Sequence, residues 1–192
     1  MTYGRVVVLD GTASSGKTSL AGALQRRLLA FGECWIVLGV DWFMGCLPRE
    51  YFGVGGRRGA RADEGLVFDT DGPGGFDMRV GPVGDSMLRA YREAVGAVAR
   101  AGMNVIVDDS QLRDIEWDMW QHATEGLDVT WVQVRIDLDV LEARELARPD
   151  RILGMARWQY DRVHRNPTFD VVVDTGVLSP EEAADAVVAV LR

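Results

Sequence analysis

Eight residues near the start of the chain, Gly11-Thr12-Ala13-Ser14-Ser15-Gly16-Lys17-Thr18, constrain its fold more than any others. They match the spacing G-x-x-x-x-G-K-[ST], in which glycines let a tight loop wrap a triphosphate with its backbone N–H groups turned inward. The lysine bridges the β and γ phosphates, and the hydroxyl of the last residue ligates Mg²⁺. Lys17 is the single lysine among 21 lysines and arginines. An arginine's broad planar fork does not enter a loop built for a compact ammonium. The run Val6-Val7-Val8-Leu9, ending at Asp10, supplies the buried strand that such a loop must follow. Leu20, Leu24 and Leu28 mark the helix that must come next, from Thr18 to Phe31, with Ser19 in its first turn and Gly32 as its stop. A chain built this way is expected to bind a nucleoside triphosphate, ATP or GTP, together with Mg²⁺.

Beyond the loop, strands and helices alternate. Cys34 to Gly39 reads as a second buried strand, ending at Val40-Asp41. Pro82 opens a long helix whose stripe runs through Val83, Met87, Tyr91, Val95 and Val98 and closes at Gly102. Val105-Ile106-Val107 is a third strand ending at Asp108-Asp109, and Val129 to Ile136 a fourth, followed by a helix through Leu138, Leu141, Glu145 and Ala147. Val171-Val172-Val173 is the fifth, and Ser179-Pro180-Glu181-Glu182 begins the last helix with a capping serine, proline at the first position and glutamate at the third. This pattern predicts an α/β fold of three layers, a parallel sheet with helices on both faces. The glycine-rich stretch from Arg49 to Gly81 interrupts it. There Leu66–Asp69 and Phe76–Val80 flank Asp71-Gly72-Pro73-Gly74-Gly75, predicting a small inserted β-hairpin that serves as a flap, with a plain linker as the alternative.

At 192 residues and 47% hydrophobic content, one domain over residues 1–192 is expected. A net charge of −8 argues against nucleic acid or an anionic membrane as partner. No apolar run reaches the length of a membrane span, and the expectation is a cytoplasmic protein. Cys34 and Cys46 fit no metal or redox spacing and read as reduced residues in or near the core, while self-association stays open.

Three groups of residues carry candidate chemistry. Asp108 and Asp109 end an apolar strand, where phosphate-loop enzymes keep the carboxylate that holds Mg²⁺; Asp108 is the first choice, and a helix-capping pair is the alternative. Asp41 ends the second strand, on the side of a parallel sheet that lines the ligand crevice, and can accept the proton of an attacking hydroxyl. Trp42, Phe43 and Met44 then stand as walls of an acceptor pocket, or otherwise as core beside a capping Asp41. Arg144 and Arg148 share a helix face, and Arg151 follows a break at Pro149-Asp150; together they suit a lid over residues 148–166 that neutralises the transferred phosphoryl group. An ion-paired helix face with Glu142 and Glu145 is the alternative. His122 and His164 lack metal spacing and read as surface residues. The alternative class is a metabolic kinase of small molecules or nucleotides, with a regulatory NTPase switch behind it, since the N-K-x-D signature of a switch GTPase needs a second lysine that the chain lacks.

Taken together, these motifs resemble the chloramphenicol phosphotransferase-like family of small phosphate-loop kinases. The likeness runs almost end to end. It covers Gly11–Thr18, Gly39-Val40-Asp41, Phe68-Asp69-x-Asp71-Gly72, Gly81-Pro82, Arg100-Ala101-Gly102 and Val105-Ile106-Val107-Asp108-Asp109. It continues through Asp150-Arg151-x-x-Gly154-Met155-Ala156, Val163-His164 and Asp170-Val171-x-Val173-Asp174-Thr175. The resemblance implies a five-stranded parallel sheet in the order 2-3-1-4-5 and transfer of a γ-phosphoryl group to a hydroxyl of a small-molecule antibiotic, giving self-resistance. It places the catalytic base on Asp41 and the lid arginines near Arg148 and Arg151. Lys17 completes the catalytic set, Arg144 joins the loop in holding nucleotide, and Thr18 with Asp108 holds the metal. Trp42, Phe43, Asp109 and Gln111 join Asp41 as acceptor-binding candidates. This chain departs from the drug-modifying member at Trp42-Phe43, at Ser110-Gln111-Leu112-Arg113, and in the arginines Arg57, Arg58 and Arg61. Those changes predict a larger or more polar acceptor, of a nucleoside or sugar-bearing type.

Overall fold

The computed structural model describes residues 2–70, 75–148, 152–164 and 168–192. In chain order come β1 (Val6–Asp10), α1 (Lys17–Ala30), β2 (Trp35–Gly39) and a short α2 (Val40–Met44). Four short strands follow: β3 (Phe52–Val54), β4 (Arg57–Arg58), β5 (Leu66–Asp69) and β6 (Asp77–Val80). After them run α3 (Pro82–Arg100), β7 (Asn104–Asp109), α4 (Asp114–Ala123), β8 (Val129–Arg135), α5 (Leu138–Leu146), α6 (Met155–Tyr160), β9 (Val171–Asp174) and α7 (Pro180–Leu191).

The main sheet has five strands in the order β2-β7-β1-β8-β9, which is 2-3-1-4-5 when its strands alone are counted. All its pairings are parallel, with Val6 of β1 level with Val105 of β7 and Val129 of β8. Because successive strand residues point to opposite faces, the apolar run of β1 feeds two cores at once. Val7 and Leu9 pack with Leu20, Leu24 and Leu28 of α1 and Val187 of α7. Val6 and Val8 pack with Tyr91 and Val95 of α3 and with Trp120 of α4. A strand covered on both faces has no polar side to show, which is why its sequence is continuously hydrophobic. The start of α7 is capped as its sequence predicts: the Glu182 N–H donates to Ser179 Oγ, and Glu182 Oε2 accepts the Ser179 N–H at 2.9 Å.

Three expectations need correction. The hairpin of β5 and β6 forms, pairing Phe68 with Met78, but it belongs to a four-stranded sheet ordered β4-β3-β5-β6. The added strands are too short to show an alternating pattern. Their turn rests on Gly55 and Gly56, both at positive φ (55° and 77°), the conformation that a two-residue hairpin turn demands. Cys34 and Cys46 are exposed, since Cys34 precedes β2 and Cys46 follows the last residue of α2. The arginines of the inserted sheet face outward. Arg58 pairs with Asp63 and Asp69, Arg61 with Glu64, and Arg57 is exposed. The hydrogen bond from Arg79, joined by the charges of Arg58 and Arg79, holds the Asp69 carboxyl below its ordinary range.

Candidate active site

A cleft of about 850 Å³ opens over the carboxyl ends of the parallel strands, between the phosphate loop, the inserted sheet and the α5–α6 segment. Ser14 and Gly16 of the loop adopt positive φ (62° and 93°), which bends successive peptide N–H groups into a concave nest. Ala13, Ser14, Gly16, Lys17, Thr18 and Ser19 reach the cleft. Gly11, Thr12 and Ser15 lie beneath it, and a side chain at Gly11 would stand 2.8 Å from the Val134 carbonyl oxygen of β8. Thr175, just after β9, clamps the loop by donating to the Ser15 carbonyl oxygen at 2.5 Å. Arg144 Nη2 in turn donates to the Thr175 carbonyl oxygen at 2.7 Å, which ties α5 to the same clamp.

Lys17 Nζ donates to the Thr12 carbonyl oxygen at 2.7 Å and lies 3.9 Å from Asp108 Oδ1. Thr18 Oγ1 donates to Asp108 Oδ2 at 2.6 Å. A hydroxyl and a carboxylate side by side, next to a nest of N–H groups, form the hard oxygen set that Mg²⁺ takes together with phosphate oxygens, so these residues fit the ion. The strand alternation separates the two aspartates. Asp108 turns toward the loop, whereas Asp109 is buried on the other side, where its Oδ2 accepts from Arg92 Nη2 at 3.1 Å and Trp120 Nε1 at 2.9 Å.

Arg92 is only 1% exposed and also lies 3.6 Å from Glu116, whose carboxylate accepts the Leu112 N–H at 2.8 Å and Arg113 Nε at 2.9 Å. One buried guanidinium therefore balances two buried carboxylates at the floor of the cleft. Replacing Arg92 with methionine is expected to destabilise the fold by about 3–5 kcal/mol, because it strips the buried Asp109 of its ion-pair partner, although Glu116 keeps Arg113. Chemical denaturation of the full chain measures this; a loss under about 1 kcal/mol would mean that the network is not part of what holds the floor. Tyr91, next to it, donates to the Leu38 carbonyl oxygen at 3.1 Å. Burial, with the Asp109 charge beside it, pushes its phenol well above the ordinary value, so it stays a donor.

Asp41 lies in the first turn of α2, lines the cleft and is exposed; among the described residues its carboxylate accepts no hydrogen bond and forms no ion pair. Gly39, not Asp41, is the helix cap. Trp42 and Phe43 do not wall the cleft. Trp42 is 67% exposed, and Phe43 packs on Tyr91 with ring centroids 5.5 Å apart. At 100° per residue, α2 presents Val40, Asp41 and Met44 to the cleft and turns the two aromatics away. Gln111 is also off the cleft, fully buried, with its backbone N–H donating to Asp10 Oδ1 at 2.9 Å. The end of the cleft away from the loop is walled instead by Val54, Leu66, Phe68 and Met78 of the inserted sheet and by Leu88 of α3.

Arg148 reaches the cleft from the end of α5, and Arg151 lies outside the described residues. Of the alternative ion-paired face, Arg144 turns instead to Thr175, Glu142 pairs with Arg157, and Glu145 accepts the N–H groups of Gly154 and Ala156. His164, read from the sequence as a surface residue, and Gln159, passed over there, both meet the base of the loop. His164, at φ 64°, places Nδ1 3.3 Å from Oδ2 of the buried Asp10, directly under the loop. Gln159 of α6 accepts the Ala13 N–H on Oε1 at 2.5 Å. Neither carries a local signal, since each meets a partner about 150 residues away that only the folded chain brings near. His122 is exposed, as expected.

Comparison with known proteins returns a consistent picture. The family model described as chloramphenicol phosphotransferase-like protein matches residues 4–192. Two curated Mycobacterium tuberculosis proteins, each carrying the name "Putative O-phosphotransferase", are 33% identical over 185 residues, covering 96% of this chain and 80% of theirs. Among solved structures, the M. tuberculosis APS kinase CysC, in complex with AMPPNP and APS, superposes with a TM-score of 0.68 at 19% identity, covering 100% of this chain and 99% of that one. A gluconokinase from Sinorhizobium meliloti 1021 gives 0.62 at 18% identity, covering 100% and 93%. The Deinococcus radiodurans tunicamycin resistance protein gives 0.64 at 18%, covering 98% and 95%. At these identities the structures show a shared fold.

Proposed function

Because this chain belongs to the chloramphenicol phosphotransferase-like family and is a kinase-type phosphotransferase, we propose that it moves the γ-phosphoryl group of ATP or GTP onto a hydroxyl of a small-molecule antibiotic. The reaction would take place in the cytoplasm and give its host resistance. One observation carries this reading: Lys17 and the Thr18–Asp108 pair share a single cleft with Asp41, a carboxylate without a partner among the described residues. Lys17 and the loop N–H groups bind the β and γ phosphates. Thr18 and Asp108 would hold Mg²⁺, which when bound neutralises charge on the phosphate oxygens. Asp41 orients the acceptor hydroxyl and takes up its proton as the oxygen attacks phosphorus. Arg148 stabilises the negative charge that spreads over the group in flight.

The cleft walls favour one kind of acceptor. Val54, Leu66, Phe68, Met78 and Leu88 are apolar, and the cation at this end, Arg92, is already matched by Asp109 and Glu116. Such a surface suits a neutral, compact alcohol of the chloramphenicol type rather than an acidic metabolite or a nucleotide. Incubation with Mg²⁺, each nucleotide and a panel of hydroxylated antibiotics tests the reading, with mass spectrometry for a product heavier by one phosphoryl group. Transfer to acidic metabolites alone, or hydrolysis with no acceptor, would refute it. Arg148→Ala is expected to lower kcat by about 10²-fold while changing nucleotide affinity by no more than about threefold, and the reverse pattern would make Arg148 a binding residue.

A further inference from the structure

Helix α6 is short, yet it is fixed on three sides. Glu145 of α5, itself buried, accepts the N–H groups of Gly154 and Ala156 at 2.8 and 2.7 Å and so caps its first turn. Ala156 is sealed in a cluster with Ile136 and Leu141. Trp158 meets Phe76 edge to face at 5.5 Å, which joins the helix to the flank of the inserted sheet. Gln159 leaves this fixed helix with 7% of its surface exposed, and it lines the cleft together with Ala13, Ser14 and Lys17.

The bond from the Ala13 N–H determines how the Gln159 carboxamide lies. A backbone N–H can be accepted only by the side-chain oxygen, so Oε1 faces the loop and Nε2 takes the other arm of the same plane. Among the described residues, Nε2 donates to no protein group. Two N–H donors thus stand beside the loop mouth without a protein acceptor, open to whatever enters the cleft. A phosphoryl group offers acceptor oxygens only, and Lys17 brings its γ member to this mouth. Resting on the reaction proposed above, we propose that Gln159 is a catalytic residue whose Nε2–H donates to an oxygen of the γ-phosphoryl group during transfer.

In that step the bond between γ-phosphorus and its bridging oxygen breaks, and the nucleoside diphosphate leaves with the electron pair. The acceptor oxygen forms the new bond to phosphorus, and its proton passes to Asp41. Gln159 keeps its protons throughout. A neutral donor suits this position, because the group in transfer must still leave the site once it has moved.

The test does not need the acceptor. Isothermal titration with Mg²⁺ compares a nucleoside diphosphate with its β,γ-imido triphosphate analogue on wild type, Gln159→Glu and Gln159→Ala, and thermal unfolding checks the fold. Gln159→Glu keeps an oxygen for the Ala13 N–H but replaces the donor with an anion. It is expected to weaken the triphosphate analogue by about 10–100-fold and the diphosphate by no more than about twofold, with Gln159→Ala in between. Equal losses for both nucleotides would overturn the proposal and make the amide a strut between α6 and the loop. Tighter triphosphate binding by Gln159→Ala would also overturn it, showing that the amide merely occupies the place of a phosphate oxygen. No effect of either substitution would do the same. If wild type bound neither nucleotide, the phosphotransfer reading would fall first, so the two failures are distinct.

Discussion

Lys17→Ala is expected to lower kcat/KM for phosphoryl transfer by about 10³-fold or more, the loss found when a preorganised positive donor is removed from charge that develops in the transition state. The fold should survive, because the Lys17 ammonium makes one hydrogen bond, to the Thr12 carbonyl oxygen, and a loose 3.9 Å contact with Asp108. Lys17→Arg is the sharper variant. This chain uses arginine for every other permanently charged basic side chain. If charge alone were needed, arginine would serve here as well. Its planar fork cannot settle into a concavity shaped by Ser14 and Gly16, so Lys17→Arg should fall nearly as far as alanine. Steady-state kinetics with the acceptor returned by the antibiotic panel measures both. Turnover near wild type in Lys17→Ala would remove the basis for assigning the triphosphate to this loop.

The second large effect concerns Asp41. Asp41→Asn should reduce kcat by about 10²–10⁴-fold, the range for loss of a general base. Stability and nucleotide affinity should not change, since the carboxylate is exposed and, among the described residues, holds no partner that asparagine would disrupt. Single-turnover rates, nucleotide titration and a melting curve together separate lost chemistry from lost structure. Retained turnover would mean that the proton leaves by another route, and weakened nucleotide binding would place Asp41 on the donor side of the cleft.

What the sequence discloses depends on how local each signal is. Strand, loop and helix around Lys17 lie within about 25 consecutive residues, and the Ser179–Glu182 cap within four, so both are legible from the chain alone. The site demands more. Asp108 and Asp109 are equivalent as letters, and only the pairing of β7 with β1 decides which one meets Thr18. A five-residue helix is too short for its phase to be read, so nothing in the sequence shows that Trp42 and Phe43 turn away from the cleft. The extra arginines of residues 57–61 suggest a polar pocket only until their partners Asp63, Glu64 and Asp69 are in view. Helix α6 lacks a capping residue of its own, because its cap, Glu145, comes from another helix.

The inserted sheet has a consequence of its own. Under the proposed reaction, the groups that handle phosphate sit on the loop, α1, β7 and the α5–α6 segment, while Val54, Leu66, Phe68 and Met78 of the wall come from one continuous stretch between α2 and α3. Substitutions at Val54 or Met78 can therefore reshape the guest with little effect on the donor machinery, whereas Phe68 is linked to α6 through Phe76 and Trp158. A lineage built on this plan can follow a changing chemical threat by revising one short cassette and leaving its engine alone.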